Sequence, residues 1–500
     1  MKAAAKISAL RAAALAIWLA FIFLCAGNSV STGLSYFDDA EMALVAQSLA
    51  HGTGYSLSPE ADVAERAHFH PGISLGPALI LPCALVLKLL GTREAIPGLT
   101  AILVWGTILT FLFFRIARRV PASNLLAGIA IFCLSILAVF AWQFGAWYAF
   151  LGEATAAAFL LLGHWSLAME KLSARWLLLS GFCLGIAVQT KYLAALGSIG
   201  AIAILLLRWP YSSRPSLANF LIWVAACLAP TLLFESWKAI DLGWESYTRN
   251  WAALFQWMKL RGLDPDSHSA FEIARQRLAV LQENFLVNLA AFALLFLVSL
   301  RVALTQRFRD WAWLFLGLQI SVLGLVLYWI FFSIGWPRYL VIGMAIASFT
   351  MALPILGLLK PRGAILYLAL GSLVLAGGIR RIPATATRAA DHGLFKASAE
   401  RHARKKMVET IRGLTGAEPL VVGVVQRAEG FALEFDLDQK VKFQRVDSLG
   451  NLPGKKVVII NQLFGTPNQR PYIEDALRGP ISSTILAAGP YELLVVDGSP

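Results

Sequence analysis

The chain has 500 residues, of which 58% are hydrophobic and 15% charged, and its mean hydropathy is +0.66. An average soluble domain is less apolar and carries more charge, so this composition excludes an ordinary soluble protein. The formal net charge is +13, but the basic residues cluster in short turns between apolar runs. Cytoplasmic loops of membrane proteins show this pattern, and the charge therefore predicts no nucleic-acid partner.

Apolar runs close to the roughly 20 residues needed to cross a bilayer follow one another along the chain. They cover residues 7–27, 96–114, 124–143, 154–169, 216–235, 284–300, 311–333, 340–358 and 363–379. The run 176–207 is too long for one span and is predicted to form two short ones. The sequence thus predicts an all-α polytopic membrane protein with about 11 transmembrane helices.

The basic clusters also predict the topology. Lys2, Lys6 and Arg11 place the N-terminus in the cytoplasm, and the first apolar run is predicted to remain as an uncleaved anchor. The proline-rich run 71–91 contains Lys88 and is predicted to be interfacial or re-entrant. Every later basic turn then lies inside, whereas the loops 28–95 and 236–283 lie outside. Against this assignment, Arg380 and Arg381 fall at the outer end of the last span.

Two regions outside the spans have distinct compositions. The loop 236–283 is rich in aromatic residues, which settle at the headgroup level, so part of it is predicted to lie flat on the membrane. After a membrane domain of residues 1–382, the segment 383–500 has a soluble composition. Its stretches PLVVGVVQ, KKVVIINQ and YELLVVDG are typical of buried strands. They predict a small extracytoplasmic α/β domain.

Several ionisable residues lie at predicted outer ends of spans instead of in the inner turns. Asp38, Asp39 and Glu41 open the first outer loop within FDDAE, and the others are Glu153, Lys191, Arg338 and His70. An ionisable group at membrane depth is costly unless it is paired or solvated, so a functional role is the default interpretation.

Structural alternatives remain open for each of these residues. Asp38 and Asp39 could instead cap the N-terminus of the amphipathic helix that follows them. Glu153 could be a solvated carboxylate in a loop. Lys191 and Arg338 could extend to outer headgroups, and a structural role for His70 is at least as well supported as a functional one.

Carboxylates and cations at one membrane face suit one chemistry in particular. A hydroxyl group that attacks a sugar carbon needs a carboxylate to accept its proton. If the sugar is carried on a lipid phosphate, the leaving phosphate needs a cation nearby but no general acid. A glycosidase differs, because its second carboxylate protonates a poor leaving group.

The sequence resembles the GT-C superfamily of polyprenyl-phosphate-dependent glycosyltransferases. Within that superfamily, it is similar to the family of lipid A aminoarabinose transferases and protein O-mannosyltransferases. The resemblance covers roughly 30–380 and rests on FDDAEMALVAQSLAHGTGYS, FHPGISLGPALILPCALVLKLLG, RIARRV, LGEATAAAF, GIAVQTKYLAAL and WPRYL. It implies catalytic roles for Asp38, Asp39 and Glu153, with Asp38 as the base. It also implies substrate binding by Glu41, His70, Lys191, Tyr192, Arg338 and Tyr339. His70 stands where several members carry a phosphate-binding lysine.

The resulting hypothesis is an inverting membrane glycosyltransferase of the plasma (inner) membrane. It takes a sugar from a polyprenyl-phosphate donor and passes it to an extracytoplasmic lipid, glycan or protein acceptor. Inversion of the anomeric configuration is implied by the family resemblance alone. No cofactor is expected, although a divalent cation among Asp38, Asp39 and Glu153 is an alternative.

Two rival functions are a transporter or flippase of a lipid-linked sugar and a non-catalytic scaffold. A transporter or flippase would place polar residues near the midplane of the membrane, often within inverted repeats.

Overall fold

A computed structural model describes most of the chain. The described residues are 2–34, 37–57, 67–70, 72–139, 141–169, 172–208, 217–260, 274–275, 277–278, 309–333, 337–354, 356, 394–414, 421–424, 431–437, 441–445, 456–461, 469–477, 481–488 and 491–496. Two predicted spans, 284–300 and 363–379, lie outside them, as does most of the predicted loop after residue 260.

A bundle of α-helices makes up the first part of the structure. The helices are α1 (Lys2–Thr32), α2 (Phe37–Ala50), α3 (Pro77–Leu90), α4 (Ile96–Ala117), α5 (Ala122–Leu134), α6 (Glu153–Met169), α7 (Ala174–Thr190), α8 (Ala194–Gly197), α9 (Ile199–Arg208), α10 (Leu217–Leu242), α11 (Trp244–Leu260), α12 (Arg309–Phe331) and α13 (Val341–Leu353). A short hairpin of β1 (Ser56–Leu57) and β2 (Ala67–His68) lies between α2 and α3.

Among the described residues, α1, α4, α10 and α12 are the four helices long and apolar enough to cross a membrane. Their outward faces carry large exposed apolar side chains such as Phe23, Leu103 and Leu233. An exposed apolar surface of this kind suits contact with lipid. Their inward faces join a core that also includes nearly all of α6, with Trp18, Trp105 and Trp165 fully buried.

Several helices end at other positions than the apolar runs predict. The run 124–143 is α-helical only to Leu134 and continues as a π-helical turn, Ser135–Val139. The run 176–207 is divided into α7 and the pair α8–α9 around Lys191. Helix α10 extends through Leu242 into the predicted loop 236–283, because residues 236–242 contain no glycine or proline; it ends at Gly243, whose φ is +72°. Helix α3 occupies most of the proline-rich run 71–91 and begins at Pro77.

The two ends of the bundle differ in chemistry. At one end, Arg208 pairs with Asp310 at 3.9 Å and Arg115 lies 4.8 Å from the centre of the Trp176 ring. This is the end that carries the basic turns of the sequence. The N-terminus of α6 and the C-terminus of α7 meet at the opposite end, where most of the singled-out ionisable residues lie. Helices α6 and α7 therefore run in opposite directions between these two ends.

The C-terminal part consists of helices and a mixed sheet. Its elements are α14 (Leu394–Leu414), β3 (Val421–Val424), α15 (Phe431–Asp436), β4 (Lys442–Arg445), β5 (Lys456–Asn461), α16 (Gln469–Leu477), β6 (Ile481–Ala488) and β7 (Tyr491–Val496). The strand order is β4-β3-β5-β7-β6, in which β3 is parallel to both β4 and β5, and β7 is antiparallel to both β5 and β6. The three stretches predicted as strands are β3, β5 and β7.

Candidate functional site at one end of the bundle

The first two predicted carboxylates lie on α2, which begins at Phe37. Asp38 and Asp39 are both in its first turn, where a negative charge stabilises the helix N-terminus. Asp39 is completely buried, whereas the Asp38 side chain is 19% exposed and forms an ion pair with Arg338. Arg338 is carried by a short 3₁₀ turn, Pro337–Leu340, which leads directly into α13. Packing of α13 therefore positions the cation that Asp38 contacts.

A second carboxylate–cation pair lies at the facing ends of α6 and α7. Glu153 is the first residue of α6 and is 4% exposed. The Nζ atom of Lys191, just after α7, lies 3.5 Å from Glu153 Oε1 and 3.4 Å from Ser74 Oγ. The other carboxylate oxygen, Oε2, is buried and has no hydrogen-bond partner within the described part of the chain. Because an ammonium group has three donors, two long contacts leave Lys191 able to bind a further acceptor.

The segment 72–76 brings α7 close to the hairpin and α2. The Gly76 N–H donates to the carbonyl of Thr190 at 3.3 Å. A Cβ atom at Gly76 would lie only 1.6 Å from the carbonyl oxygen of Gln189, so this approach requires glycine. At the other end of the segment, the Gly72 N–H donates to His70 Nδ1 at 3.1 Å. Glu41 Oε1 lies 3.9 Å from the position that a Cβ on Gly72 would occupy.

His70 follows a residue in an unusual backbone conformation. Phe69 has a φ of +50°, and it is the only non-glycine residue with positive φ among the described residues. Its ring stacks on Tyr55 at 5.2 Å and meets Trp237 edge-on, while its carbonyl accepts a hydrogen bond of 2.7 Å from Asn250. Tertiary contacts with α10 and α11 thus hold the turn that presents His70.

A cavity lies between the segment 72–76, the end of α7 and helices α10 and α11. Its lining includes His70 and Tyr192 from the predicted site, together with Ser74, Gln189, Lys238 and Asn250. Gln189 is 4% exposed, and both polar atoms of its side chain lack partners among the described residues. A buried amide without a partner costs about 1–3 kcal/mol. The cavity therefore offers unused donors and acceptors to a polar ligand.

Lys238 is a site residue that the sequence interpretation missed. It is 5% exposed, lies 3.9 Å from Glu235 and packs 5.3 Å from the centre of the Trp251 ring. Lys238 lies just beyond the apolar run 216–235. An ionisable residue at the end of an apolar run is the pattern that singled out Lys191 and Arg338, so the same pattern could have identified Lys238. The other missed residues, Ser74, Gln189 and Asn250, are uncharged and gave no comparable signal.

The predicted residues therefore fall into connected groups. Asp38 meets Arg338, and the guanidinium carbon of Arg338 lies 5.7 Å from the centre of the Tyr339 ring. Glu153 meets Lys191, and Ser74 connects that pair to the segment beside Glu41 and His70. Tyr192 reaches the cavity beside Lys238. No group of three or more His, Cys, Asp or Glu side chains suitable for a metal ion occurs within the described ranges.

Two carboxylate–cation pairs lie at one end of the bundle, and Lys191 of one pair contacts Ser74 in the lining of a polar cavity. The cations can bind an anion, and the carboxylates can accept a proton. The helices that carry these groups have the GT-C fold, which the sequence resemblance predicts.

Solved structures of ArnT from Cupriavidus metallidurans are similar in fold to this chain. Its crystal structure bound to undecaprenyl phosphate matches with a TM-score of 0.62 and 16% identity over 98% of each chain. The apo structure of the same protein matches with a TM-score of 0.62 and 15% identity, covering 99% of this chain and 98% of that one. An archaeal oligosaccharyltransferase, AglB from Archaeoglobus fulgidus in complex with an inhibitory peptide and a dolichol-phosphate, gives a TM-score of 0.41 at 10% identity over 89% and 70% of the two chains.

Comparison with protein-family models gives no match. Comparison with curated protein sequences also finds no relative. The fold likeness thus extends over nearly the whole chain while sequence identity stays low, so the site residues have to be judged by their own geometry.

Proposed function

We propose that the protein is an inverting glycosyltransferase that moves a sugar from a polyprenyl-phosphate donor to a hydroxyl group on an extracytoplasmic lipid, glycan or protein. The observation that carries the proposal is the pairing of Asp38 with Arg338 and of Glu153 with Lys191 at the same end of the bundle. The ArnT fold supports the proposal, since one matching structure is bound to undecaprenyl phosphate.

The reaction requires one bond to form and one to break. The acceptor oxygen bonds to the anomeric carbon of the sugar, and the bond from that carbon to the phosphate oxygen breaks with its electron pair going to the phosphate. The acceptor proton goes to a carboxylate, for which we propose Asp38. Attack on the face opposite the phosphate inverts the anomeric configuration.

The cations have two tasks in this scheme. Lys191 and Arg338 bind the donor phosphate and stabilise the charge that it gains as it leaves. Arg338 is paired with Asp38 in the free protein, so a phosphate that takes over Arg338 frees Asp38 to accept a proton. Binding of the donor phosphate would then activate the base.

The remaining polar groups suit the sugar and the acceptor. The buried amide of Gln189 and the side chain of Asn250 line the cavity next to Lys238 and His70, where hydroxyl groups would satisfy their hydrogen bonds. Glu153 would orient the sugar through its unpartnered oxygen. Glu41, Tyr192 and Tyr339 complete the proposed substrate contacts, and no metal ion takes part in the proposed scheme.

We propose further that the chain crosses the inner membrane about 11 times, as the apolar runs indicate. The N-terminus would be cytoplasmic, and residues 383–500 would form an extracytoplasmic α/β domain.

The decisive experiment uses purified full-length protein in nanodiscs. A radiolabelled sugar on undecaprenyl phosphate is supplied with a cell-envelope extract, and transfer of label to a new product is measured. Undecaprenyl phosphate binding is measured separately for wild type, Lys191→Met, Arg338→Met and the control Arg249→Met. The control removes an exposed cation that pairs with Glu245 along α11.

We expect label transfer by the wild type. In the two site variants, we expect binding weakened by about 1.5–3 kcal/mol, the usual worth of hydrogen bonds to charged groups. That corresponds to roughly 10- to 100-fold in Kd, with Arg249→Met unchanged. Movement of the labelled lipid between leaflets without transfer would favour the flippase. Unchanged binding in both site variants would remove these cations from the phosphate site.

A further inference from the structure

The C-terminal unit, residues 394–496, contacts the membrane bundle close to the proposed base. Arg404 of α14 is 5% exposed and bonds to three groups from different parts of the chain. Its Nη1 donates to the carbonyl of Leu34 at 2.7 Å, its Nε contacts Asp436 at 3.0 Å, and its Nη2 pairs with Glu94. One buried guanidinium thus joins α14, α15, the segment before α2 and the segment before α4.

A second arginine of α14 strengthens this contact. Arg401 pairs with Glu94 and donates to the carbonyl of Val30 near the end of α1. Gly33 lies directly against the cluster: its φ is +60°, and a Cβ there would lie 2.5 Å from Glu94 Oε2 and 3.2 Å from Arg404 Nη2. Only glycine combines this conformation with this approach. Gly33 and Leu34, directly after α1, are therefore held by contacts with α14.

The other end of α2 is held as well. Gln47 is completely buried, and its Nε2 donates to the carbonyl of Phe435 in α15 at 3.1 Å and to Thr92 Oγ1 at 3.2 Å. The Phe435 ring is fully buried in the same cluster as Met42 and Val45 of α2. Gln47 lies nine positions after Asp38. The C-terminal unit thus packs on α2 at Gln47, about two and a half turns along the helix from Asp38.

We infer that the C-terminal unit positions the helix that carries Asp38 and Asp39, through the cluster of Arg401, Arg404, Glu94 and Asp436 and the Gln47–Phe435 hydrogen bond. The inference rests on the proposed function, because it names what holds the proposed base in place. Arg404 is the principal positioning residue, since it bonds to the backbone only four residues before Asp38. It has no direct part in the chemistry.

A reacting group must be held within a fraction of an ångström, and a displacement of about 1 Å can cost on the order of 10²-fold in rate. Loss of the Arg404 contacts should therefore lower kcat while the phosphate site, formed by the ends of α7 and α13, is left intact.

The test compares Arg404→Met and Arg404→Lys with Arg208→Met in the full-length protein. Arg208 is a matched control, because it too bonds to a backbone carbonyl, that of Leu167, and to a carboxylate, Asp310, but at the opposite end of the bundle. For each variant, kcat for sugar transfer, the Kd for undecaprenyl phosphate and the amide hydrogen exchange of residues 37–50 and 153–169 are measured.

For Arg404→Met we expect kcat to fall about 10- to 100-fold with an unchanged Kd, faster exchange in α2 and unchanged exchange in α6. Arg404→Lys should recover part of kcat, and Arg208→Met should affect neither kcat nor α2. Hydrogen exchange tests the inference even if the wild type transfers no sugar, which would instead contradict the proposed function. Unchanged α2 exchange in Arg404→Met, or equal loss of kcat in Arg208→Met, would overturn the inference.

Discussion

At the scale of single residues, charged groups of the candidate site form ion pairs. Arg338 meets Asp38, and Lys191 meets Glu153. Pairing offsets the cost of desolvating each group, and removal of one partner leaves the other charge exposed to an apolar environment. Substitutions at these positions should therefore affect both stability and function, and each needs a readout that separates the two.

Asp38 gives the sharpest test of the proposed base. Asp38→Asn keeps the size of the side chain but cannot accept the acceptor's proton, so turnover should fall about 10²–10⁴-fold, the usual contribution of general-base catalysis. Binding of undecaprenyl phosphate should persist. Asn caps a helix about as well as Asp, so a purely structural role for Asp38 predicts nearly normal turnover in a variant of normal thermal stability.

Asp39→Asn and Glu153→Gln are the matched comparisons. Both change a carboxylate on the same end of the bundle, and both should reduce turnover less than Asp38→Asn if these residues orient the substrate instead of taking the proton. A larger loss in Asp39→Asn, with intact folding, would transfer the role of base to that residue.

At the scale of elements, the site depends on how closely a few segments approach one another. The segment 72–76 contacts the end of α7 through Gly76, where a Cβ would overlap the Gln189 carbonyl. The same segment carries Ser74, which Lys191 contacts. Its packing therefore determines where the Lys191 ammonium group lies relative to Glu153.

Gly76→Ala should consequently weaken both the fold and donor binding. Forcing an extra methyl group into a packed contact usually costs about 1–3 kcal/mol. We expect a lower melting temperature and a higher Kd for undecaprenyl phosphate, measured on the same nanodisc preparations. Gly27→Ala is the control, because nothing lies within 4 Å of a Cβ at Gly27. Equal effects of the two substitutions would show that the approach at Gly76 does not matter.

At the scale of the whole molecule, the membrane bundle and the C-terminal unit are joined by buried charges. Burial raises the pKa of the Asp436 carboxyl group from 3.8 to about 6, although Arg404 acts in the opposite direction. Glu94 adds to the increase, and Arg401 reduces it. The contact between the two parts of the molecule is therefore sensitive to mildly acidic pH.

The sign of this effect follows from proton binding. Because the folded-state pKa of Asp436 lies above its unfolded value, the folded protein binds more protons between about pH 4 and pH 6. The contribution of Asp436 to the free energy of unfolding therefore decreases as pH rises through that window. Asp436→Asn should remove this decrease, which melting temperatures of variant and wild type across pH 4 to 7 would reveal. The exposed Asp475 supplies the control variant Asp475→Asn, and an identical pH profile for wild type and Asp436→Asn would contradict the assignment.

Membrane topology is the second prediction at this scale. A reporter fused after residue 115 should be cytoplasmic, and one fused after residue 260 should be extracytoplasmic, because Arg115, Arg118 and Arg119 mark an inner turn. A cytoplasmic signal at residue 260 would overturn the alternation of spans. A fusion after residue 385 reports the side of the C-terminal unit.

The sequence by itself determined the apolar helices α1, α4, α10 and α12, the basic turns at one end of the bundle, and three strands of the C-terminal sheet. Each of these depends on local composition: a run of apolar residues, a cluster of cations or a short β-branched stretch is readable without its neighbours. The same reasoning selected Asp38, Glu153, Lys191 and Arg338, since an ionisable group at the end of an apolar run stands out wherever the chain folds.

Only the tertiary structure decided which of those groups meet. Asp38 and Arg338 come from opposite ends of the bundle's sequence, and their contact depends on how α2 and α13 pack. The burial of Lys238 and Gln189 likewise depends on α10 and α7 facing the segment 72–76. The bonds from Arg404 to Leu34, Glu94 and Asp436 join segments that no local pattern relates. Such contacts are set by the packing of the whole core, and the free energy that selects them is not encoded in any one stretch of sequence.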